Sequence, residues 1–241
     1  MPKDNKPKIL AIIPSAGMGN RMGQRAGKKK IKKNYMELSG RPVLARTLEV
    51  FEKTPQVDEI IVVTADEDLE YCRKEIVEKY GFTKVAAILG GGKERQDSVA
   101  NALEYAAKNL SCDIILVHDG ARPLITREII EATVTSVKEY GSGVVAMPVK
   151  DTIKEVTGDG IIRATPPREQ LRAVQTPQGF LSDILIEASR AARKDNVICT
   201  DESSLVERLG IEVRVVQGSY ENIKITTAED IPLAEAILKT R

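Results

Sequence analysis

Short runs rich in valine and isoleucine alternate along this chain with longer amphipathic segments, and this alternation constrains the fold most strongly. The short β-branched runs predict strands, and the segments between them have the period of helices. Strands that alternate with helices form a mostly parallel sheet with helices on both faces, so we expect an α/β fold. The predicted strands are 9–13, 59–64, 84–89, 114–117 and 144–148. The predicted helices are 43–53, 67–80, 95–110, 127–140, 183–194, 201–209 and 228–239.

Residues at the ends of three of these helices support the assignment. Pro42 suits the first turn of helix 43–53, because its fixed φ is already helical. Gly81 suits the position that closes helix 67–80. The run Thr-Thr-Ala-Glu at 226–229 has the spacing of a capping box and predicts the start of the last helix.

The first predicted strand runs into a loop of small residues, ILAIIPSAGMGNRMG, at 9–23. No Gly-Lys-Ser/Thr follows Gly19, so the loop is not a Walker A motif, and the spacing G-x-G-x-x-x-G is not that of a dinucleotide fingerprint. Backbone N–H groups at a strand-to-helix turn still favour an anion. A tight turn that merely needs glycine is the alternative.

Three further loops follow predicted strands or close the chain, and they should meet the first at one edge of the sheet. The glycines of 90–92 let a backbone approach a ligand closely, although a flexible turn explains them equally well. An aspartate that leaves a buried strand, as Asp119 does, is a frequent site for a metal or a ribose hydroxyl. His118 reads more readily as a structural histidine, and Lys224 either covers apolar surface or reaches inward.

Seven cations fall within the thirteen residues 21–33, in a chain whose charge is otherwise balanced. Most of them suit a solvated loop. One or two of them beside a glycine-rich anion loop would neutralise a polyphosphate, as phosphoryl-group chemistry requires. His118 is the only histidine, which excludes a metal site or a mechanism that needs two.

The composition excludes several classes of protein. A net charge of +1 and a pI near 7.6 disfavour nucleic-acid binding. No apolar run approaches the roughly 20 residues that span a bilayer, and the start of the chain has no apolar core of a secretion signal. Three widely spaced cysteines suit a reducing cytoplasm, which is the expected location.

Residues 150–180 break the alternation. The stretch DTIKEV-TGDG-IIRAT reads as two short strands around an Asp-Gly turn, and Pro166 and Pro167 then favour extended chain. This stretch has too few apolar residues for a core of its own. We therefore expect one domain over 1–241, with 150–180 as a β-arm that packs on a partner chain.

Nine motifs in order give a resemblance to a known family. They are P-x-A-G-x-G-x-R-M, K-x-Y, G-R-P-V-L, G-G-x-E-R-x-D-S-V, V-H-D-x-A-R-P, D-T, T-P-Q, T-D-E and N-I-K, and they run from about Ile9 to Ala236. Because it has these motifs in this order, the chain resembles the 2-C-methyl-D-erythritol 4-phosphate cytidylyltransferases. The resemblance implies a Rossmann-like nucleotidyltransferase domain and a homodimer formed through the β-arm. It also implies the coupling of CTP to methylerythritol phosphate with release of pyrophosphate, and Mg²⁺ carried on the triphosphate.

Carried over motif by motif, the resemblance implies roles for individual residues. Arg21 and Lys33 would stabilise charge at the α-phosphate, while Arg168 and Lys224 would direct the phosphate of the acceptor. The residues implied to bind substrate are Ser15, Ala16, Gly17, Gly19, Gly92, Lys93, Arg95, Ser98, Asp119, Gly120, Arg122, Thr152, Thr176 and Thr200. No protein residue is expected to hold a metal on its own.

Some alternatives stay open at this point. Family members usually have proline before the catalytic lysine and a shorter loop, whereas this chain has a longer loop with two adjacent lysines. Lys33 is chosen because it directly precedes the Asn-Tyr pair, and Lys32 is the alternative. A cytidylyltransferase for another polyol phosphate, such as ribitol 5-phosphate, would share these loops. A dinucleotide-binding oxidoreductase is disfavoured, because Thr64 ends the second strand where an acidic residue is expected.

Overall fold

A computed structural model describes residues 6–17 and 32–241, and in them a seven-stranded sheet has the order β11-β7-β10-β6-β1-β4-β5. The strands are β1 Ile9–Pro14, β2 Glu37–Leu38, β3 Arg41–Pro42, β4 Glu59–Thr64, β5 Val85–Gly90, β6 Ile114–Val117, β7 Ser142–Pro148, β8 Glu155–Val156, β9 Ile162–Ala164, β10 Arg172–Leu181 and β11 Val215–Gln217. The helices are α1 Val43–Lys53, α2 Leu69–Tyr71, α3 Arg95–Asn109, α4 Arg127–Tyr140, α5 Ser182–Lys194, α6 Glu202–Glu207 and α7 Asp230–Lys239. All five predicted strands are confirmed within one or two residues.

The centre of the sheet is parallel and buried on both faces, as the continuous apolar runs predict. Strand β1 pairs in parallel with β4 on one side and with β6 on the other. Successive side chains of a strand point to opposite faces. Ile9 and Ile13 therefore pack in one core cluster, whereas Leu10 and Ile12 pack in the other. This burial explains why the strands lack an alternation of polar and apolar residues.

Helices cover both faces of the sheet. The apolar sides of α1 and α4 pack in the first core cluster, and those of α3, α5 and α6 pack in the second. The α/β architecture with helices on both faces is therefore confirmed. Within the described residues, no helix is long and apolar enough to cross a membrane.

Strands β10 and β11 were not predicted. Strand β10 is antiparallel to both neighbours, β6 and β7, and it contains Pro177 and Gly179, which are rare in central strands. The register shifts between Val174 and Gln178, so the proline lies in an irregularity of the ladder. A Cβ atom on Gly179 would come within 2.7 Å of the Leu116 side chain. Close packing between strand and core therefore requires a glycine there.

The segment 150–180 divides into two parts. Strands β8 and β9 pair as an antiparallel hairpin, which confirms the two short strands expected around the Asp-Gly turn, and residues 151–165 are all exposed. From Arg172 onward the chain is β10 and belongs to the main sheet. The part before β10 forms a two-stranded sheet of its own, and its role as an arm stays a prediction.

Two predicted helices differ from expectation, one in where it begins and one in its type. The last helix begins at Asp230, whose carboxylate accepts hydrogen bonds from the backbone N–H groups of Thr226 and Thr227, so the predicted capping box with Glu229 does not form. The segment predicted as helix 67–80 is a 3₁₀ turn, then α2, then a π-helix over Cys72–Glu78. It ends as expected at Gly81, which has a φ of +68°.

Candidate active site

A cleft of about 650 Å³ lies beyond the carboxyl ends of β1, β4, β5 and β6. Loops that leave these strands form its walls, together with the segment around residue 33 and the loop that carries Lys224. The cleft thus lies where a parallel sheet leaves a crevice for a ligand. The predicted residues that line it are Ser15, Ala16, Gly17, Lys33, Gly92, Lys93, Arg95, Ser98, Asp119 and Lys224.

The remaining predicted residues fall into three groups. Gly120, Arg122 and Thr176 lie beneath the wall of the cleft, within contact of the residues that line it. Gly19 and Arg21 lie outside the described residues. Thr152, Arg168 and Thr200 are exposed and do not line this cleft.

Arg168 lies instead in a second, more open pocket of about 520 Å³ at the base of the hairpin. Its guanidinium donates a hydrogen bond to the backbone carbonyl of Lys150 at 3.2 Å. Lys150 and Arg172 line the same pocket, which makes it cationic apart from Glu169. The ammonium of Lys150 also lies 3.6 Å from the centroid of the Tyr220 ring.

Two buried polar atoms of residues that line the cleft have no hydrogen-bond partner among the described residues 6–17 and 32–241. They are the hydroxyl of Ser15 and the side-chain oxygen of Asn34, two residues that are 7% and 2% exposed. A buried polar atom without a partner is costly, and a ligand that supplies the partner removes that cost. Asn34 was not among the predicted site residues, because the sequence offers it only as a neighbour of Lys33.

Glycine is required at two places in the walls. A Cβ atom on Gly120 would overlap the hydroxyl of Ser15, and one on Gly91 would come within 2.5 Å of the Cβ atom of Ala16. The close approach of these loops therefore depends on glycine.

The loop after β5 is held by its own hydrogen bonds. The Ser98 hydroxyl accepts from the N–H of Gly92 at 3.1 Å and donates to the carbonyl of Glu94 at 3.2 Å. Glu94 and Asp97 form a capping box at the start of α3. Ser98 thus fixes the shape of the loop, and the N-terminal end of α3 faces the cleft.

Asp119 lies at the centre of a buried charge network. One of its oxygens accepts from Nε of Arg95 at 3.0 Å, and the other accepts from Nζ of Lys224 at 2.7 Å. Nε of Arg122 lies 3.7 Å from the second oxygen. Burial alone would raise the pKa of the Asp119 carboxyl, but the three cations hold it well below its usual range.

A second carboxylate, Glu202, completes this network. Its two oxygens accept from both terminal nitrogens of Arg95, at 2.7 and 3.0 Å, and its side chain is 1% exposed. Burial would lower the pKa of Arg95, but Glu202 and Asp119 outweigh it and raise that pKa. Glu202 was not predicted as a site residue; it entered the sequence analysis only as the last letter of the T-D-E motif.

His118 supports the network from below. The Thr176 hydroxyl accepts from the backbone N–H of Asp119 and therefore donates its own proton to Nδ1 of His118, at 3.1 and 3.0 Å. This leaves the Nε2–H of the ring to donate to the carbonyl of Arg122 at 3.2 Å. Burial lowers the pKa of His118 to about 4. The ring packs against Phe51, so its role is structural.

The two adjacent lysines of the long loop, Lys32 and Lys33, have different surroundings in the structure. Nζ of Lys32 binds the carboxylates of Glu67 and Asp68, at 2.6 Å in both cases, on the rim of the cleft. Lys33 lines the cleft itself. Burial would lower the pKa of Lys32, but the two carboxylates raise it overall. The arrangement favours Lys33 as the lysine that meets a ligand.

Chemically, the described residues of the cleft offer backbone groups, fixed cations and carboxylates, and no histidine lines the cleft to activate its two serines as nucleophiles. The lysines and arginines, with Asp119 between them, suit a polyphosphate more than an acyl or sugar centre. Among the described residues, no group of three histidine, cysteine or acidic side chains could hold a metal ion.

Comparison with known proteins gives one family. The model of the 2-C-methyl-D-erythritol 4-phosphate cytidylyltransferases matches residues 9–240. A protein of that name from Geobacter metallireducens is 47% identical over 234 residues, which are 97% of this chain and 98% of that protein. One from Alkaliphilus oremlandii is 44% identical over 238 residues, which are 99% of this chain and 98% of that protein.

Solved structures give the same result. The 4-diphosphocytidyl-2C-methyl-D-erythritol synthase of Anaerococcus prevotii superposes with a TM-score of 0.82 at 32% identity, and the match covers 97% of each chain. The 2-C-methyl-D-erythritol 4-phosphate cytidylyltransferase of Thermus thermophilus superposes with a TM-score of 0.76 at 33% identity, over 95% of this chain and 98% of that one.

Proposed function

Because the chain belongs to the 2-C-methyl-D-erythritol 4-phosphate cytidylyltransferase family, we propose that the cleft at the end of β1 is where it carries out that reaction. The enzyme is a nucleotidyltransferase of the isoprenoid pathway, which joins CTP to 2-C-methyl-D-erythritol 4-phosphate and releases pyrophosphate. The observation that carries the proposal is the convergence of the glycine loops, Lys33 and the Asp119–Lys224 pair in one cleft. A different polyol phosphate as acceptor is not favoured by relatives that match over the whole chain.

The cytidine would lie between the loops after β1 and β5. No atom of the described residues lies within 4 Å of the position that a Cβ atom on Gly17 would take, and we propose that a ligand approaches the backbone there. Ser15 and Asn34 line the cleft, and we propose that their buried side-chain oxygens, which lack a partner among the described residues, serve the nucleoside. The fixed shape of loop 90–94 supports the same role, because a preorganised loop loses little entropy on binding.

The transfer itself needs no covalent intermediate with the protein. A phosphate oxygen of the acceptor attacks the α-phosphorus of CTP in line, the bond to the β-phosphate oxygen breaks, and pyrophosphate carries the electron pair away. The protein supplies orientation and positive charge. Lys33 and Lys93 line the cleft on the side of the two glycine loops, and Lys224 faces them from the last loop. Arg21 is proposed to add charge from outside the described residues.

Asp119 would position cations rather than react. Its two ion pairs hold Arg95 and Lys224 at a fixed separation, and the Thr176–His118 hydrogen bonds hold the aspartate in turn. Cations held before the reaction require no reorganisation when charge develops on the phosphates.

Mg²⁺ is the proposed cofactor, and it would enter the cleft with the triphosphate. Among the described residues no acidic group could hold the ion by itself, so the triphosphate would supply most of its ligands, and single carboxylates that line the cleft, such as Asp66, could add one. Bound there, the ion would add positive charge at the phosphate oxygens. Removal of divalent ions should abolish turnover, and added Mg²⁺ should restore it.

The homodimer is likewise a proposal. Val156, Ile161 and Ile162 of the hairpin are 59–64% exposed, and a second copy of the chain would cover them. Arg168 and Thr152 lie on the same segment and do not line the cleft of their own chain. We propose that the hairpin crosses a two-fold axis and that Arg168 and Thr152 serve the partner's acceptor site.

The activity is tested by pyrophosphate release from CTP with either methylerythritol phosphate or ribitol 5-phosphate as acceptor. Turnover with the first and little with the second is expected. Equal turnover with both, or turnover only with ribitol 5-phosphate, contradicts the assignment of the acceptor.

The crossed site is tested by mixing two inactive variants, Lys33→Ala and Arg168→Ala, through unfolding and refolding. About half of the dimers are then mixed, and each has one site with both native residues, so about a quarter of all sites should recover. If Arg168 acts within its own chain, every site lacks one residue and the mixture stays as inactive as its parents.

A further inference from the structure

Lys32 is held on the rim of the cleft by two carboxylates. Its ammonium lies 2.6 Å from an oxygen of Glu67 and 2.6 Å from an oxygen of Asp68. Both acids belong to the 3₁₀ turn Asp66–Asp68 that follows β4. The Asp68 side chain is 17% exposed and the Glu67 side chain 67%, so the pair with Asp68 is the better shielded from water and salt.

The two residues after Lys33 are also fixed to the ends of strands. The side-chain amide of Asn34 donates to the carbonyl of Ser15 at 2.6 Å, just after β1. The hydroxyl of Tyr35 lies 2.8 Å from that of Thr64, at the end of β4. Lys33 lines the cleft between these contacts and the Lys32 ion pairs. Of the three anchors, that of Lys32 alone is electrostatic and on the surface.

We infer that Lys32 is a positioning residue for the proposed reaction: its ion pairs with Glu67 and Asp68 hold the backbone so that Lys33 points into the cleft. The inference rests on the proposed function, since Lys33 has a task only if the cleft binds a polyphosphate. Two of the three N–H donors of the Lys32 ammonium already bind carboxylates, which makes it a poorer phosphate ligand than Lys33.

We call the ion pairs of Lys32 with Glu67 and Asp68 the latch. If the latch positions Lys33, the rate of turnover should fall as the salt concentration rises. Raising the ionic strength from 0.15 to 1 M shortens the screening length from about 8 Å to about 3 Å, which weakens partly exposed ion pairs. The rate at saturating CTP should therefore fall with salt more steeply in the native enzyme than in a variant that lacks the latch.

Variants at the latch give the direct test. Lys32→Met is expected to lower kcat about two- to fivefold, the range typical of a partly exposed pair, with little change in KM for CTP. Lys32→Arg should keep most of the rate. Asp68→Asn should cost more than Glu67→Gln, because its pair is the more buried. Lys74→Met is the matched control, since Lys74 pairs with the exposed Glu70 away from the cleft and the rate should be unchanged.

A proline variant separates positioning from charge. Lys32 has a φ of −66°, which is the value that proline imposes. Lys32→Pro should therefore hold the backbone without any ion pair. It should turn over faster than Lys32→Met and should lack the salt dependence that the latch confers.

Two results overturn the inference. If Lys32→Met loses 100-fold or more and Lys32→Pro does not recover, Lys32 contacts the phosphates directly. If Lys32→Met matches the native rate at all salt concentrations, the latch has no role. Failure of the proposed function is a separate outcome, because the native enzyme would then release no pyrophosphate from CTP with methylerythritol phosphate.

Discussion

The single histidine should remain uncharged in the folded protein down to acidic pH. His118 is fully buried, and burial lowers its pKa to about 4 from an ordinary value of 6.5. Its Nδ1 accepts the Thr176 hydroxyl and its Nε2–H meets the Arg122 carbonyl. A second ring proton would break the bond from Thr176 and would place a charge beside Arg122.

This difference in pKa makes stability depend on pH with a definite sign. Between pH 6.5 and about pH 4 the unfolded chain binds a proton that the folded chain does not. The stabilisation is therefore complete above pH 6.5 and is lost as the pH falls. The whole pKa difference corresponds to about 3 kcal/mol, at about 1.36 kcal/mol per pKa unit. About 2 kcal/mol of this should disappear between pH 8 and pH 5.

Proton NMR measures the pKa directly, because the chain has only one histidine. The ring resonance should stay constant from pH 8 to pH 5 in the native protein and should titrate near pH 6.5 in urea. Urea unfolding at the two pH values then gives the free energy. His118→Gln lacks the titrating group, so its stability should fall by about 2 kcal/mol less over the same range, and the carboxylates cancel in this comparison. A native titration near pH 6.5 would refute the reasoning.

Three further outcomes are expected. Glu202→Gln should destabilise the fold by about 3–5 kcal/mol in urea unfolding, because it removes the buried carboxylate that pairs with the partly buried Arg95. Glu104→Gln breaks a similar bidentate pair on the surface and should cost about 1 kcal/mol or less, so equal losses would contradict the role of burial. Gly120→Ala should cost about 1–3 kcal/mol by overpacking, and Gly158→Ala, which faces open space, should cost far less. Lys33→Ala should lower kcat about 10²–10³-fold with a smaller change in CTP affinity measured by calorimetry, and near-normal turnover would exclude it as a catalytic residue.

The sequence was a good guide to the parallel core. Strands β1, β4 and β6 are buried on both faces, so their apolar runs are continuous and their limits are marked by polar residues. Strand β10 escaped prediction because Pro177 and Gly179 argue against a strand, and their tolerance depends on a bulge and on a tight core contact. The bulge and the core contact depend on tertiary structure, and the local sequence pattern does not predict them.

In the cleft too, some residues could be predicted from local sequence and others are brought together only by tertiary contacts. Ser15, Gly92 and Asp119 follow strands, and the topology of a parallel sheet brings strand ends together. Nothing in local spacing relates Arg95 to Glu202, which lies 107 residues away in the chain. Lys32 and Lys33 are adjacent and identical in type; the sequence favours Lys33 only by its position before the Asn-Tyr pair, and the acidic turn after β4, which binds Lys32, supports that choice. The roles of Thr152, Arg168 and Thr200 stay predictions.

The cleft takes its walls from both ends of the polypeptide. Pro14 lines it near the start of the chain, and Lys224 lines it seventeen residues before Arg241, with Asp119 between them. A chain grows from its N-terminus and its early parts collapse first. During synthesis the sheet centre can therefore form long before the cleft is closed. A chain that stopped before residue 222 would carry the β1 loop but not Lys224 opposite it, so its cleft would lack one cation and Asp119 would lack one of its ion pairs.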